Sequence, residues 1–283
     1  MLNPFSGEFK GATGDHIVGI FSNSSVNMII CTFFFSYYFF RKKRIHFIIA
    51  GIVAVLTTFM SGILLAVAAF VITLFFNSAI KLKYKLTGSL FLVIAYFSFL
   101  LISPENVNYT TNNIKSVLSR NPPRKFTSFK QTYSYATSNV INFMIGAGPG
   151  NFSSRAAFVF GGEYVSWLPI TMVYRSEAFE HNHFQLWNKE ILSHPYQDGT
   201  ANQPFSIYNQ LLGEYGIVGL LVFIFLYIGY YLKKYSSFTY GRYLLVFILL
   251  IALMDYWFEY ISIMILFEVL MFLQIKEIDE KIK

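Results

Sequence analysis

Long uninterrupted apolar blocks are the feature of this sequence that most restricts its fold. A helix needs about 20 apolar residues to cross the hydrocarbon core of a bilayer, because each residue adds about 1.5 Å. Only 13% of the 283 residues are charged, about half the usual share for a soluble domain. The pattern favours an all-α, multi-pass membrane protein over an ordinary soluble enzyme. The blocks are 17–40, 45–80, 86–102, 216–232 and 242–274.

Two of these blocks, 45–80 and 242–274, are each about twice as long as one span. We therefore interpret each as a helical hairpin. The first is expected to turn near Ser61-Gly62, where small residues interrupt the apolar run. The second is expected to turn within 255–259, which mixes acidic and aromatic residues as membrane interfaces do. The sequence thus predicts about seven transmembrane helices.

Clusters of basic residues predict how these helices are oriented. They follow the first span and the first hairpin, flank the next short loop and end the chain, at 41–44, 81–85, 233–242 and 276–283. The positive-inside rule assigns such clusters to the cytoplasm, which leaves the long segment 103–215 outside. The predicted organisation is N-terminal transmembrane helices in 1–102, an external loop with short helices in 103–215, and C-terminal transmembrane helices with a cytoplasmic tail in 216–283.

The external segment contains a basic cluster next to an expected helix. Residues 126–143 carry an apolar side chain every three or four positions, which predicts an amphipathic helix on the membrane surface. Such a cluster could bind phosphate oxygens through charge-assisted hydrogen bonds, or it could face lipid headgroups. Both interpretations remain open. The cluster comprises Lys115, Arg120, Arg124, Lys125 and Lys130.

A glycine-rich turn follows, with Gly146, Gly148 and Gly150 at alternate positions. The spacing differs from the dinucleotide-binding pattern G-x-G-x-x-G, and no βαβ unit surrounds it. One interpretation is that its backbone N–H groups approach a phosphate or a sugar closely. The other is a tight turn packed against the membrane-facing cap.

Histidines and one glutamate are further candidates for chemistry. His181 and His183 are two residues apart and do not share a helix face, and zinc sites need three or four convergent ligands, so we predict no metal. One of them, or His194, could act as a general base, or all three could lie on a loop surface. Glu214 lies two residues before the start of the block 216–232. An acid there is costly unless it is paired, useful or interacting with a helix N-terminus.

Four features resemble the O-antigen ligase and polymerase superfamily of bacterial inner membranes. The run Gly19–Asn23 is similar to the glycine–phenylalanine–asparagine element that the family has at the outer end of a span. A long periplasmic loop is the second feature. The segment Gly146–Phe152 resembles the family's G-x-G-x-G-x-F turn, and Asn209–Gly219 resembles its polar-leucine-leucine-x-glutamate-x-glycine entry to the next span. The resemblance covers most of 17–254. It implies that the chain lies in the bacterial inner membrane, with 103–215 as the periplasmic loop.

The resemblance implies a function. Family members act on undecaprenyl-pyrophosphate-linked glycans at the periplasmic face, without a metal, a cofactor or a nucleotide sugar. It implies that this chain polymerises lipid-linked oligosaccharide repeat units of an O-antigen, capsule or exopolysaccharide. The implied partners are that glycan, membrane lipid and other polysaccharide assembly proteins, but not nucleic acid. Two alternatives remain: a ligase that transfers the glycan to another acceptor, and a non-catalytic multi-pass transporter.

The resemblance also implies site residues. Periplasmic arginines would hold the pyrophosphate, and a histidine would activate the acceptor hydroxyl. By position, Arg120 and Arg124 match the family's arginine, and His181 is the candidate base. Phe205-Ser206 stands where the family usually has histidine-asparagine, which favours a polymerase over a ligase. The predicted substrate-binding residues are Gly146, Gly148, Gly150, Arg155, Gln203 and Glu214.

Overall fold

A computed structural model describes residues 19–21, 23–75, 121–162, 167–193 and 202–282, together with scattered positions between 82 and 119. Every regular element in this part of the chain is a helix, so the predicted all-α class is confirmed there. The described residues form two compact units. The first draws on Met1–Ile114, Lys234–Ile251 and Ser262–Lys283, and the second on Lys115–Lys233 and Ala252–Ile261.

The helices fall into a set of long apolar ones and a set of very short ones. A π-helical stretch occurs at Phe223–Ile228, and 3₁₀ turns occur at Gly19–Phe21, Ile170–Met172, Tyr235–Ser237 and Trp257–Glu259. The α-helices are, in chain order, α1 (Ser24–Phe40), α2 (Arg44–Leu56), α3 (Met60–Phe75), α4 (Arg124–Ala136), α5 (Val140–Ile145), α6 (Arg155–Phe160), α7 (Glu177–His181), α8 (His183–Leu186), α9 (Lys189–Leu192), α10 (Ile207–Val222), α11 (Gly229–Leu232), α12 (Tyr240–Ile251) and α13 (Ile261–Ile282).

The first unit is held together by apolar side chains of long helices. Asn23 caps α1 by accepting a hydrogen bond from the Val26 N–H at 3.0 Å. Helix α1 packs along α2, and α12 packs along α3. Phe33 of α1 is fully buried and contacts the rings of Phe247 and Phe267, with centroids 6.1 Å away in both cases. The core of this unit therefore follows from apolar helix faces, as expected for apolar blocks.

Ion pairs gather the basic clusters at one end of the first unit. Arg41, after α1, pairs with Glu277 near the end of α13. Lys234, before α12, pairs with Asp279 at 2.5 Å. Three of the four predicted cytoplasmic clusters thus meet at one end. Helix α13 has 22 residues, so its N-terminal end lies about 33 Å from the end that carries these ion pairs, at 1.5 Å per residue.

The two predicted hairpins have different outcomes. The block 242–274 breaks between α12 and α13, at residues 252–260, which confirms the predicted turn. The block 45–80 also breaks, as predicted, but the break lies at Thr57–Phe59 and not at the Ser61-Gly62 pair that was expected to mark it. The Thr57 hydroxyl donates to the Ala54 carbonyl at 2.7 Å, and Thr58 has a φ of 56°. Such local side-chain bonds compete with helix continuation. Gly62 instead lies inside α3, where a Cβ would collide with the Phe59 ring.

One helix, among the residues that the structure describes, is both long and apolar enough to cross a membrane. This helix runs from Ile207 to Leu232, and by length and composition it could cross a bilayer. Gly216, with φ 63° and ψ −164°, kinks it. The other apolar helices, α1, α2, α3 and α12, have 10–17 residues. The count of seven spans therefore stays a prediction.

The amphipathic helix predicted over 126–143 is two helices. Helix α4 ends at Ala136, and Asn139 caps α5 by accepting a hydrogen bond from the Asn142 N–H at 2.8 Å. The buried face of α4 is polar, with Lys125, Ser128 and Thr132 inside, whereas Tyr133 is 67% exposed. The helical assignment of 126–136 is confirmed, but the continuous helix to 143 was wrong, because the cap at Asn139 starts a new helix.

Candidate functional site

A buried carboxylate, Glu214, organises the second unit. It lies on α10, two residues before the kink at Gly216, and only 1% of it is exposed. Four backbone N–H groups donate to it, and charge-assisted bonds of this kind offset the cost of burying the charge. We call this arrangement the Glu214 clamp. Its Oε2 accepts from Gly150 at 2.8 Å, and its Oε1 accepts from Phe152 at 3.1 Å, Ser153 at 2.9 Å and Ser154 at 2.8 Å.

The glycine segment, residues 146–154, also binds the backbone of α10. Ala147 N–H donates to the Gly213 carbonyl at 2.8 Å, and Gly148 N–H donates to the Glu214 carbonyl at 2.9 Å. Gly146 has a φ of 71°, and a Cβ there would lie 2.5 Å from the Glu214 carbonyl carbon. The N–H groups that a phosphate would use are thus occupied, which favours the packed-turn interpretation. Direct substrate binding by the three glycines stays a prediction.

His183 is a second buried polar group, and it contacts the clamp. Its Nδ1 lies 2.9 Å from the Ser153 Oγ, and its Nε2 lies 3.2 Å from both the Thr132 Oγ1 and the Ser128 carbonyl. Complete burial lowers the pKa of His183 to about 3, despite the Ser128 carbonyl, so the ring is neutral at ordinary pH. His183 therefore links α4, α8 and the glycine segment as a packing residue.

The candidate base, His181, is exposed at the end of α7, two residues before His183. His194 lies outside the described residues. Within the described part of the chain, no group of three or more His, Cys, Asp or Glu side chains is arranged to hold a metal ion. The structure thus separates the two neighbouring histidines by environment, one inside and one in contact with solvent.

Lys125 belongs to the interior and does not join an exposed basic surface. Its Nζ donates to the carbonyls of Phe205 and, at 2.7 Å, of Met254. Burial lowers its pKa, and the charge of nearby Asp255 opposes that shift. Burial likewise raises the pKa of Asp255, which also accepts from the Tyr256 N–H at 2.7 Å. The basic cluster inferred from the sequence is therefore divided, with Lys125 inside and Lys130 exposed.

The arginines of the second unit differ in exposure. Arg124 is partly buried, donates from Nη1 to the Leu186 carbonyl at 3.1 Å, and has its pKa lowered by burial. Arg175 donates from Nε to the Gly161 carbonyl at 2.9 Å and stacks 4.0 Å from the Phe184 ring centroid. Arg155 is exposed, at the first residue of α6. Arg120 lies outside the described residues.

Glu259 lies beside Arg155, and sequence reasoning did not select it. Its Oε1 accepts from the backbone N–H of Arg155 at 3.4 Å, and its side chain also binds Gln210. Burial raises the pKa of Glu259, as does the charge of Glu214, whereas the bonds from Arg155 and Gln210 lower it. The Arg155 guanidinium lies 5.7 Å from the Tyr260 ring centroid. The sequence did contain a signal for Glu259, because this acid lies in the turn of an apolar hairpin, where a charge without a partner or a role is costly.

An aromatic cluster supports the turn that carries Glu259. Phe205 contacts the rings of Phe158, Trp187 and Tyr256, with centroids 4.7–5.1 Å apart. Tyr256 is fully buried, three residues before Glu259. The Ser206 N-cap hydroxyl and the Ile207 N–H both donate to the Ala252 carbonyl, at 3.1 Å each. The predicted site residue Gln203 lies, partly buried, in the segment that leads to this cap.

No protein family model matches this chain, and neither the curated proteins nor the solved structures include a match to it. Its chemistry must therefore be argued from its own residues. The described site joins an exposed guanidinium to a partly buried carboxylate, both attached to segments that the Glu214 clamp and the aromatic cluster hold. Such a pair can bind an anion and accept a proton.

Proposed function

We propose that this chain is a metal-independent membrane glycosyltransferase. It polymerises undecaprenyl-pyrophosphate-linked repeat units at the periplasmic face of the bacterial inner membrane, with about seven spans and the segment 103–215 outside. One observation carries the proposal: Arg155 and Glu259 adjoin at the surface of a unit whose clamp is built on a helix long enough to cross a bilayer. The ion pairs that gather the basic clusters support the orientation.

The arginine has a role in the bond-breaking step of such a reaction. Breaking a sugar–pyrophosphate bond places negative charge on the leaving pyrophosphate, and preorganised cations supply the largest stabilising effect. An arginine binds phosphate oxygens with two parallel donors. Arg155 directly follows Ser154, whose N–H donates to Glu214, so the clamp fixes the backbone that carries the guanidinium. We propose Arg155 as the main pyrophosphate ligand, and Arg120 and Arg124, which the resemblance selects, as further ones.

The carboxylate has a role in activating the acceptor. The acceptor hydroxyl oxygen forms a bond to the anomeric carbon while the bond from that carbon to the pyrophosphate oxygen breaks. The hydroxyl proton passes to the base, and then to water. A base works best when its pKa lies near the working pH, and burial raises the pKa of Glu259. We propose Glu259 as this base, with the exposed His181 as the alternative.

Lipid-linked intermediates in cells that lack the protein would separate the three functions. Loss of a polymerase leaves single repeat units on the carrier lipid at the periplasmic face. Loss of a ligase leaves full-length polymer on that lipid, and loss of a transporter leaves single units on the cytoplasmic face. Accumulation of none of these species would contradict all three.

Reconstitution would test the residues. Purified full-length chain in liposomes should convert lipid-linked repeat units into a ladder and release the lipid pyrophosphate. Arg155→Ala and Glu259→Gln should each lower the rate on the order of a hundredfold, and Arg155→Lys should recover only part of it. Glu177→Gln, at an exposed glutamate in the first turn of α7, is the matched control. Full activity of both Arg155→Ala and Glu259→Gln would exclude the assigned pair.

A further inference from the structure

We infer that α5 is a membrane-inserted helix whose side chains lie among lipid acyl chains, next to the point where α10 enters the bilayer. The helix has the sequence VINFMI, and none of its six residues is buried. Val140 is 77% exposed, Ile141 68% and Ile145 60%. Water disfavours such a continuous apolar surface, and an adjoining apolar medium removes this cost.

The apolar surface of α5 adjoins that of the candidate membrane-crossing helix. A Cβ at Gly216 would lie 2.5 Å from the carbonyl carbon and oxygen of Met144, so the end of α5 touches the kink directly. Beyond this kink the helix exposes large apolar side chains, with Phe225 69% and Leu226 71% exposed. Two adjoining apolar surfaces require the same medium.

Lipid fits this surface better than a protein partner does. The helix Ile207–Leu232, which contains Gly216, is long and apolar enough to cross a membrane, and a short apolar helix beside such a span matches an interfacial segment. The residues just before α5, Ser138 and Asn139, are exposed and polar, which suits the headgroup side of the interface. Asn139 caps the first turn of α5, and the Gly146 N–H donates to the Asn142 carbonyl in its last turn, which lowers the cost of placing this backbone in lipid.

The insertion has a consequence for the site. The Gly146 N–H donates to the Asn142 carbonyl at 3.0 Å, so the glycine segment begins on the last turn of α5. Lipid contact at α5 therefore fixes the depth of the Glu214 clamp and of Arg155 relative to the headgroup phosphates. This inference holds for any membrane function of the chain and does not depend on glycosyl transfer.

Spin labelling of the full chain in phosphatidylethanolamine–phosphatidylglycerol liposomes tests the inference. Cys31 is replaced by Ser, and a single nitroxide is attached to cysteine at Val140, Ile141, Phe225 or Ser134. Ser134 is exposed on α4 and serves as the aqueous control, and Phe225 is the control within the span. For the labels at 140 and 141, we expect the collision rate with oxygen, divided by the rate with a water-soluble nickel chelate, to exceed the value for the label at 134. The expected difference is on the order of threefold. The labels at 140 and 141 should favour oxygen over the chelate as the label at 225 does, but less strongly, because Phe225 lies nine residues beyond the Gly216 kink.

Two results would overturn the inference. A nickel-chelate collision rate at 140 and 141 equal to that at 134 would place α5 in water. Low collision rates with both reagents would mean that protein, not lipid, covers α5. Because Val140 and Ile141 project outward, labelling should leave folding intact, and an unchanged tryptophan emission spectrum checks this.

Discussion

The two units bury different chemistry. In the first, the core consists largely of apolar side chains from long helices, and some of its buried hydroxyls bond within their own helix, as Thr32 does with Met28 at 3.6 Å. In the second, most helices are short, and the interior contains Glu214, Lys125 and His183, bonded to residues 30–129 positions away. Short helices leave many backbone groups without helix partners, so polar side chains must satisfy them. The second unit should therefore respond more sharply to substitutions that preserve size.

All three tryptophans of the chain, Trp167, Trp187 and Trp257, belong to the second unit. Tryptophan fluorescence therefore reports on that unit, whereas far-ultraviolet circular dichroism reports on both. Unfolding of the full chain in detergent, followed by both signals, separates the responses.

Replacing Glu214 by Gln should have the largest effect on stability. The amide keeps the size of the side chain but loses the charge, and it turns an NH₂ group toward N–H donors. We expect the free energy of unfolding of the second unit to fall by about 3 kcal/mol, measured by fluorescence. Glu177→Gln at an exposed position should change nothing measurable. Equal stability of Glu214→Gln and wild type would show that the clamp does not stabilise the unit.

Gly146→Ala should destabilise the second unit by about 2 kcal/mol, because the methyl group would meet the α10 backbone at a positive φ. Gly148 also has a positive φ, of 87°, but the nearest atom to its Cβ would be the Asn151 Nδ2 at 3.4 Å. Gly148→Ala should therefore cost only about 1 kcal/mol. Comparing both fluorescence transitions at equal detergent concentration checks this order, and the reverse order would contradict the close approach.

His183 should make the second unit sensitive to acid. The folded pKa of His183, about 3, lies below its unfolded value, which is about 6.5. The unfolded state thus binds the proton first, and stability is complete above about pH 6.5 and is lost as pH falls toward 3. The expected slope is about 1.4 kcal/mol per pH unit. His183→Asn should flatten this slope in the fluorescence transition, even if it lowers stability overall. An unchanged slope would assign the acid sensitivity to other groups.

A matched pair of threonine substitutions gives the smallest effects. Thr132 is 2% exposed, and its hydroxyl binds the Ser128 carbonyl at 2.9 Å and faces the His183 Nε2. Thr132→Val should cost about 1–2 kcal/mol, because the buried His183 Nε2 loses one of its two oxygen neighbours. Thr32, 3% exposed in the first unit, bonds weakly to a sulfur, so Thr32→Val should cost less than about 0.5 kcal/mol by circular dichroism. Equal costs would remove the contrast between the units.

Local patterns predicted the class of fold and several boundaries. Apolar blocks indicated helices, and the acidic and aromatic residues at 255–259 located the turn between α12 and α13 correctly. The position of the break in 45–80, at Thr57–Phe59, was not foreseen. Hydroxyl groups that bond to their own helix do not change the apolar pattern from which the break was predicted. Sequence reasoning noticed both Gly146–Phe152 and Glu214, but it did not predict that they bind each other.

The sequence by itself determined that this chain is helical and apolar, because periodicity and block length depend only on near neighbours. Tertiary structure alone decided which polar residues are buried. His181 and His183 differ by two positions, yet one is exposed and the other is surrounded by Ser128, Thr132 and Ser153. The donors to Glu214 lie 60–64 residues away, and Glu259 meets Arg155 across 104 residues. Such pairings form when distant segments pack, and burial then lowers the pKa of His183 and raises that of Glu259.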